Sequence, residues 1–457
     1  MKSSDKLPGA TPTHEVLRTL SRRALAHGFD EAEIACMHDF RHRASYRSGS
    51  SKPIAASQRT TSLLFTLRRG SSLLRHSTVD SGWTAADPVW PALDPSGAVE
   101  PMQFPLRAST HLPRCPRISG FAKGAIEVAS TCEKVARAVA RRFPKANFGI
   151  HFFHSFDRFV IENTKDLSGS YEHPYLRAEY RLSYRGKDVA GLTFDVSAAA
   201  ILEDIERRLD RAVLYAKSVQ TGFLKEGQLP ALLDPKVTAL LAQILFEQSK
   251  AYSRWPDHYE KVFPLDFVFE DDPTHGIGQN SVPFDHEGTP TERKVLMASG
   301  KSARRVCDLQ SSALCGTPPS GNGFRRGLFV SHIADLTPGT QPTFLRVFPG
   351  KTPLQEIMRD HPQFVYLNQV SFPLDRFSFL VKGQGLVTLE GVYIDHGKVV
   401  SNIVMKNHAD RPLISGYPRS YGSLVDPSTT ILSDGEYTYG GWYPYLFLPR
   451  MTWRESD

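Results

Sequence analysis

Few residues in this chain are of types and spacings that could do chemistry. Glu247 lies in Leu232 to Tyr252, LLDPKVTALLAQILFEQSKAY, among aliphatic side chains. A carboxylate so placed can act as a general base once burial or a cation tunes it. Asp285 and Glu287 alternate in Phe284-Asp285-His286-Glu287-Gly288-Thr289-Pro290. On an extended segment both point to one side, toward a shared cavity or toward solvent. An acid/base pair made of them needs one carboxyl raised by burial, whereas capping and peptide positioning need no such shift. Asp271-Asp272-Pro273 reads as a turn with a carboxylate capping backbone donors. The Pro318 to Gly323 loop, with Asn322, either offers backbone donors to a substrate or partner chain or simply connects two elements.

Histidine and cysteine spacing assigns no metal site. His38 and His42 lie on a predicted strand, where four residues span roughly 13 Å, too far for one ion. His151 and His154 point to opposite faces of theirs. His258, His275 and His286 flank the acidic blocks, and only the fold could gather them. The five cysteines, Cys36, Cys115, Cys132, Cys307 and Cys315, are odd in number and widely spaced, which points to reduced thiols in a cytoplasmic protein. Arg304 and Arg305 would favour a thiolate at Cys307, but the sequence supplies it no paired histidine.

These residues need elements to hold them. Asp234 is a suitable N-cap and Pro235 suits the first helical turn, so a helix is predicted to start there. Val237, Leu240, Leu241, Ile244 and Leu245 form one buried stripe. Ala239, Ala242 and Phe246 make a second side apolar, so the helix should be interior. Upstream, helices are predicted over 13–27, 123–142 and 198–219. Strands are predicted over 32–37, 62–67, 148–153, 156–163 and within 178–195, and a proline-rich surface connection over 80–119. Downstream, strands are predicted over 265–269, 294–298, 344–348, 377–380 and 386–394, with hairpin turns at 383–385 and 395–398. The class is α+β: an N-terminal mixed domain, 1–222, then a strand-rich domain, 223–457, around a buried central helix.

Composition narrows the function classes. The 457 residues suffice for two or three domains, and 40% hydrophobic with 23% charged residues is ordinary for a soluble chain. No run of about 18 apolar residues suggests a membrane span, and the charged first residues do not resemble an export signal. The +7 net charge is spread over helix faces such as Arg18/Arg22/Arg23 and Arg137/Arg141/Arg142/Lys145. That pattern argues against a nucleic-acid interface.

Several ordered blocks resemble the TldD/PmbA family, once called modulators of DNA gyrase: Ile161 to Thr164, Glu270 to Pro273, Phe284 to Pro290 with Arg293, Pro319 to Gly323, and Leu389 to Lys398. In the active TldD-type subunit of that family, H-E-x-x-x-H on a helix and a cysteine near the C-terminus hold zinc, with the glutamate as base. Here the matching positions are Phe246, Glu247 and Ala251, and the last cysteine is Cys315. Zinc catalysis needs about three protein ligands and an open water site. The resemblance therefore implies a TldE/PmbA-type subunit with no cofactor of its own. Zinc is expected in a TldD-type partner, forming a cytoplasmic, bacterial heterodimer that accepts unstructured peptides in an enclosed cavity.

The C-terminal stretch departs from the family, with Tyr437, Tyr439, Trp442, Tyr443 and Tyr445 close together. Such density suits an interface, a ligand cavity or a β core. It points to a specialised paralogue, for example in natural-product or modified-peptide maturation. Phe246, Ala251, Asn322, Tyr437, Tyr439 and Trp442 are the expected substrate or interface residues. An alternative is a stand-alone hydrolase without the zinc site, using Glu247, Asp285 or Glu287.

Overall fold

The computed structural model describes residues 14–70, 72–80, 99–101, 112, 121–184, 187–195, 203, 206, 227–275, 281–325, 337–371, 387–407, 425–438 and 441–453. The N-terminal sheet is antiparallel, in the order β4-β3-β2-β1-β5-β6-β7. Its strands are β1 Glu31–Arg47, β2 Ile54–Arg69, β3 Ser72–Asp80, β4 Val99–Pro101, β5 Asn147–Asn163, β6 Ser168–Tyr184 and β7 Lys187–Asp195. One face carries two helices, α1 His14–Ala26 and α2 Phe121–Arg142. Leu17, Leu20 and Ala24 of α1 pack on Ala32, Ile34 and Cys36. Val135, Ala136 and Val139 of α2 pack on Ala44, Ile150 and Phe152. Strand alternation turns Ala35, Met37, Phe159, Ile161 and Tyr171 to the other face, where they meet Val282, Phe284 and Phe324 from the second half of the chain. The predicted strands 148–153 and 156–163 are one strand, β5, because Ser155 stays in register opposite Arg41 with no turn between them.

The second sheet has ten strands, in the order β11-β10-β9-β14-β19-β8-β15-β16-β17, with β18 also paired to β19. They are β8 Gly227–Leu233, β9 Val268–Asp271, β10 Lys294–Ala298, β11 Lys301–Ser302, β14 Leu345–Val347, β15 Gln363–Ser371, β16 Val387–Asp395, β17 Lys398–Asn407, β18 Thr430–Thr438 and β19 Gly441–Trp453. A separate pair, β12 Gly323–Phe324 with β13 Gly339–Thr340, lies beside it. The predicted apolar helix is α3, Pro235–Ser249, with the Asp234 side chain accepting from the Lys236 N–H. Leu232 and Leu233, the front of the same apolar run, end strand β8 instead. Both predicted sides of α3 are covered: Val237, Ala239, Leu240, Leu241, Ala242, Leu245 and Phe246 are all buried, against Val365, Leu446 and Leu448 among others. Two short helices, α4 Leu309–Cys315 and α5 Leu354–Asp360, complete the region.

The Asp395 to Lys398 turn is a two-residue hairpin with His396 and Gly397 both at positive φ, as a primed turn requires. The helix predicted over 198–219 and the features at 377–380 and 383–385 lie outside the described residues, apart from Glu203 and Glu206, which are helical. Most of 80–119 lies outside them too. Among the described residues no helix is long and apolar enough to cross a membrane.

Candidate functional site

The predicted functional residues fall into three places. At the C-terminal end of α3, Phe246 is fully buried in the core with Leu345, Val347 and Tyr443. Glu247 forms an ion pair with Lys250, Oε2 to Nζ 2.7 Å, and the same ammonium lies 5.8 Å from the centre of the Phe246 ring. Burial pushes the Glu247 carboxyl up, against the pull of Lys250. Ala251 donates its N–H to the Val306 carbonyl at 2.8 Å, tying the helix end to the chain before α4. These side chains do not fit a zinc ion: phenyl and methyl groups offer no lone pair, and the one carboxylate already has an ammonium partner.

Asp285, Glu287 and Asn322 meet in a buried polar cluster of loops. Asp285 Oδ1 accepts from the N–H groups of Glu287 and Thr289, at 3.0 and 2.8 Å, and Oδ2 from that of Gly323, at 2.7 Å. One carboxylate thereby closes its own loop and fastens it to β12. Glu287 Oε2 accepts from the Leu309 N–H at 2.8 Å, at the start of α4. Asp308 caps that helix through Ser311 and takes a further bond from Thr340. Burial first, then Asp285 and Asp308, raise the Glu287 carboxyl well above its ordinary range. Gly323 leaves room for it, since a Cβ there would stand 2.0 Å from Glu287 Oε2. Asn322 donates to Asp271 Oδ2 at 2.8 Å and to the Gln341 carbonyl at 2.9 Å, while accepting from the Ser320 hydroxyl at 2.7 Å. Asp271 is also bonded by Thr343 and the Phe344 N–H, and the fully buried Lys294 reaches it at 3.6 Å.

This cluster abuts the N-terminal sheet. His286 packs on Phe159 of β5, ring centres 5.0 Å apart, and its Nδ1 accepts from the Arg325 N–H. Glu33 of β1, buried here, is raised to about 7, by burial above all; Asn163, Arg325 and Arg75 pull it down and Asp285 pushes it up. Burial holds Arg325 down at about 10. Sequence reading missed Glu33, Arg75 and Arg325. Their strands and loops come together only through pairings far apart in sequence, and no local spacing marks them.

The third place is the second sheet's face turned away from α3. Glu270, Arg346, Trp442 and Tyr437 are successive cross-strand partners over β9, β14, β19 and β18. Arg346 lies over Phe348 and Trp442, at 4.9 and 6.0 Å, and near His275 Nε2 at 3.3 Å. Glu270 is fully buried beneath Arg293 and Arg346. Trp442 and Tyr437 are half-exposed, whereas Tyr443 and Tyr445 are core. The aromatic run thus serves both surface and core. Tyr439 lies outside the described residues.

The structure bears on two chemistries that the sequence left as minor alternatives. Cys307 is not a favoured thiolate, because burial and Asp308 push its thiol up to about 11 and its Sγ donates to the Pro318 carbonyl. The histidines also have separate engagements: His286 binds the Arg325 backbone, and His275 stacks on Phe344. The side chain of His258 is outside the described set. His42 and His154, unpaired in the sequence reading, are cross-strand neighbours with rings stacked 6.5 Å apart. Among the described residues no group of three His, Cys, Asp or Glu is placed to hold a metal ion.

Residues 226–408 match the family described as the PmbA/TldA metallopeptidase C-terminal domain. Among solved structures the fold is similar to a proposed modulator of a DNA gyrase from Thermotoga maritima MSB8, with TM-score 0.71 and 14% identity over 96% of this chain and 99% of that one. It is also similar to TldE from Thermococcus kodakarensis, with TM-score 0.70 and 15% identity over 96% and 99%. A third likeness is to a proposed modulator of DNA gyrase from Bacteroides thetaiotaomicron VPI-5482, with TM-score 0.67 and 12% identity over 96% and 98%. At such identities the solved structures speak for the fold, and the domain match speaks for the part it covers: residues 226–408 form a domain of the PmbA/TldA metallopeptidase C-terminal family, within a chain whose fold is that of the gyrase-modulator and TldE structures.

Proposed function

We propose that this chain is a TldE-like, non-catalytic subunit of a TldD/TldE-type zinc metallopeptidase, shaping the cavity in which an unstructured peptide is processed. A TldD-type partner supplies the zinc. The observation that carries this reading is the end of α3, where Phe246 fills the core and Lys250 neutralises Glu247. The phenyl of Phe246 and the methyl of Ala251 offer no lone pair with which a metal could be held to activate a water beside Glu247. The reading also agrees with the engagement of the two other carboxylates that a stand-alone hydrolase was expected to use: Asp285 and Glu287 both hold backbone N–H groups. The half-exposed Trp442 and Tyr437 supply contact area for a partner or peptide, as expected of a specialised paralogue. The test is peptide cleavage by this chain alone, by a TldD-type subunit alone, and by the mixture. Zinc-dependent activity should need the partner and rise on adding this chain; cleavage by this chain alone, lost on Glu247→Gln, would overturn the reading.

A further inference from the structure

The face of the N-terminal sheet opposite α1 and α2 is apolar where it meets Phe284 and Phe324, but changes character along the strands. Arg43, Phe153 and Arg177 are direct cross-strand partners on β1, β5 and β6. Their side chains stack, the Arg43 guanidinium 5.5 Å and the Arg177 guanidinium 4.3 Å from the ring centre. The two arginines come from the strands on either side of β5. Arg43 is further held by the Ser45 hydroxyl at 3.0 Å and by His151 Nδ1 at 3.2 Å. Arg47 follows on the same face of β1, and Arg43 and Arg47 are both exposed. Among the described residues neither has a carboxylate partner, whereas Arg177 pairs with Glu179 at 3.1 Å. His151 registers the local field, its ring pushed down by burial and by Arg43, with Arg47 adding to this and its cross-strand partner Glu179 pulling the other way.

We infer that this stacked arginine face, centred on Arg43, Phe153 and Arg47, binds carboxylate side chains of an extended acidic peptide. This deepens the proposed function, on whose peptide-handling reading it rests, by naming the substrate class. Stacking on Phe153 fixes the guanidinium plane while leaving its outer N–H groups for a carboxylate, the bidentate geometry that arginine favours. Side chains of an extended peptide recur on one side at about 7 Å, so acidic residues two or four apart can reach successive arginines along β1. The same stacking argues against single-stranded nucleic acid. Base stacking needs an open aromatic face, and two guanidinium groups already lie over the Phe153 ring.

The test is fluorescence anisotropy with the full chain and a short fluorescein-labelled peptide of alternating Glu and Ser, beside the same peptide with Gln for Glu. The acidic peptide should bind roughly tenfold or more tightly than the Gln peptide and lose affinity with added salt. Arg43→Glu with Arg47→Glu should abolish the preference, and Phe153→Leu should weaken it while thermal melting stays near that of the parent. Equal binding of the two peptides, an unchanged preference in the charge-reversed variant, or tighter binding of an oligodeoxythymidylate would each overturn the inference. Complex formation with a TldD-type subunit, measured on the same preparations, judges the proposed function separately. A complex that forms and cleaves neutral and acidic peptides alike removes the acidic preference and leaves the subunit reading standing.

Discussion

At the scale of residues, the carboxylates of the Phe284 to Pro290 segment are engaged with backbone donors. Asp285 takes three N–H bonds with two oxygens. Asp285→Asn keeps one oxygen but turns an amide N–H₂ toward a backbone N–H, so it should cost about 1–3 kcal/mol in urea unfolding. Unchanged stability would mean that the loop is held by its other contacts. Glu33 gives a pH signature. Its folded value of about 7 exceeds the ordinary 4.5, so the folded chain binds the extra proton between these values. The stability it contributes is fully present below about pH 4.5 and lost as pH rises through about 7. Relative to Glu33→Gln, the parent chain should therefore lose up to about 3 kcal/mol over that interval. Parallel stability-pH curves for the two proteins would remove this account. One neighbouring role was visible in the sequence and one was not: the Asp272-Pro273 turn was predicted and Thr274 bonds the Asp272 carboxylate as expected, whereas Glu33 looks like any polar strand residue until Arg325 and Asp285 are brought beside it.

At the scale of elements, α3 is the part the sequence specified best, because its cap, first-turn proline and apolar stripes are all local signals. Phe246→Ala should destabilise the chain by about 3–5 kcal/mol, the cost of emptying a fully packed aromatic site. A much smaller loss would mean that the space round the ring collapses easily. Phe246→His with Ala251→His should not produce zinc-dependent proteolysis in the isolated chain, since a third ligand and its supporting hydrogen bonds are missing; activity assay with measured zinc content decides the point. Strands were read less well. β15 was missed, and β19 was noticed only as a run of aromatics, since each is buried on two sides and shows little alternation. Register was beyond reach: His42 and His154 stack because β1 and β5 pair across more than a hundred residues, and local spacing carries no trace of that.

At the scale of the whole molecule, the predicted site residues fall into three neighbouring groups, linked through Val306, Asp271 and Phe344, in which each side chain is already engaged within the fold. Phe246 and Glu247 close one end of a core helix, Asp285, Glu287 and Asn322 knit loops beside the N-terminal sheet, and Trp442 and Tyr437 line the far face of the second sheet. Engaged in this way, the side chains suit the proposed role of building walls and contacts for a partner's chemistry, and the α+β class followed from the predicted elements alone. The measurement that tests this most directly is native mass spectrometry of the full chain, alone and mixed with a TldD-type subunit from the same organism, reading stoichiometry and zinc mass together. The account predicts a one-to-one complex that carries zinc only when the partner is present. A self-associated species that ignores the partner, or zinc bound by this chain alone, would contradict it.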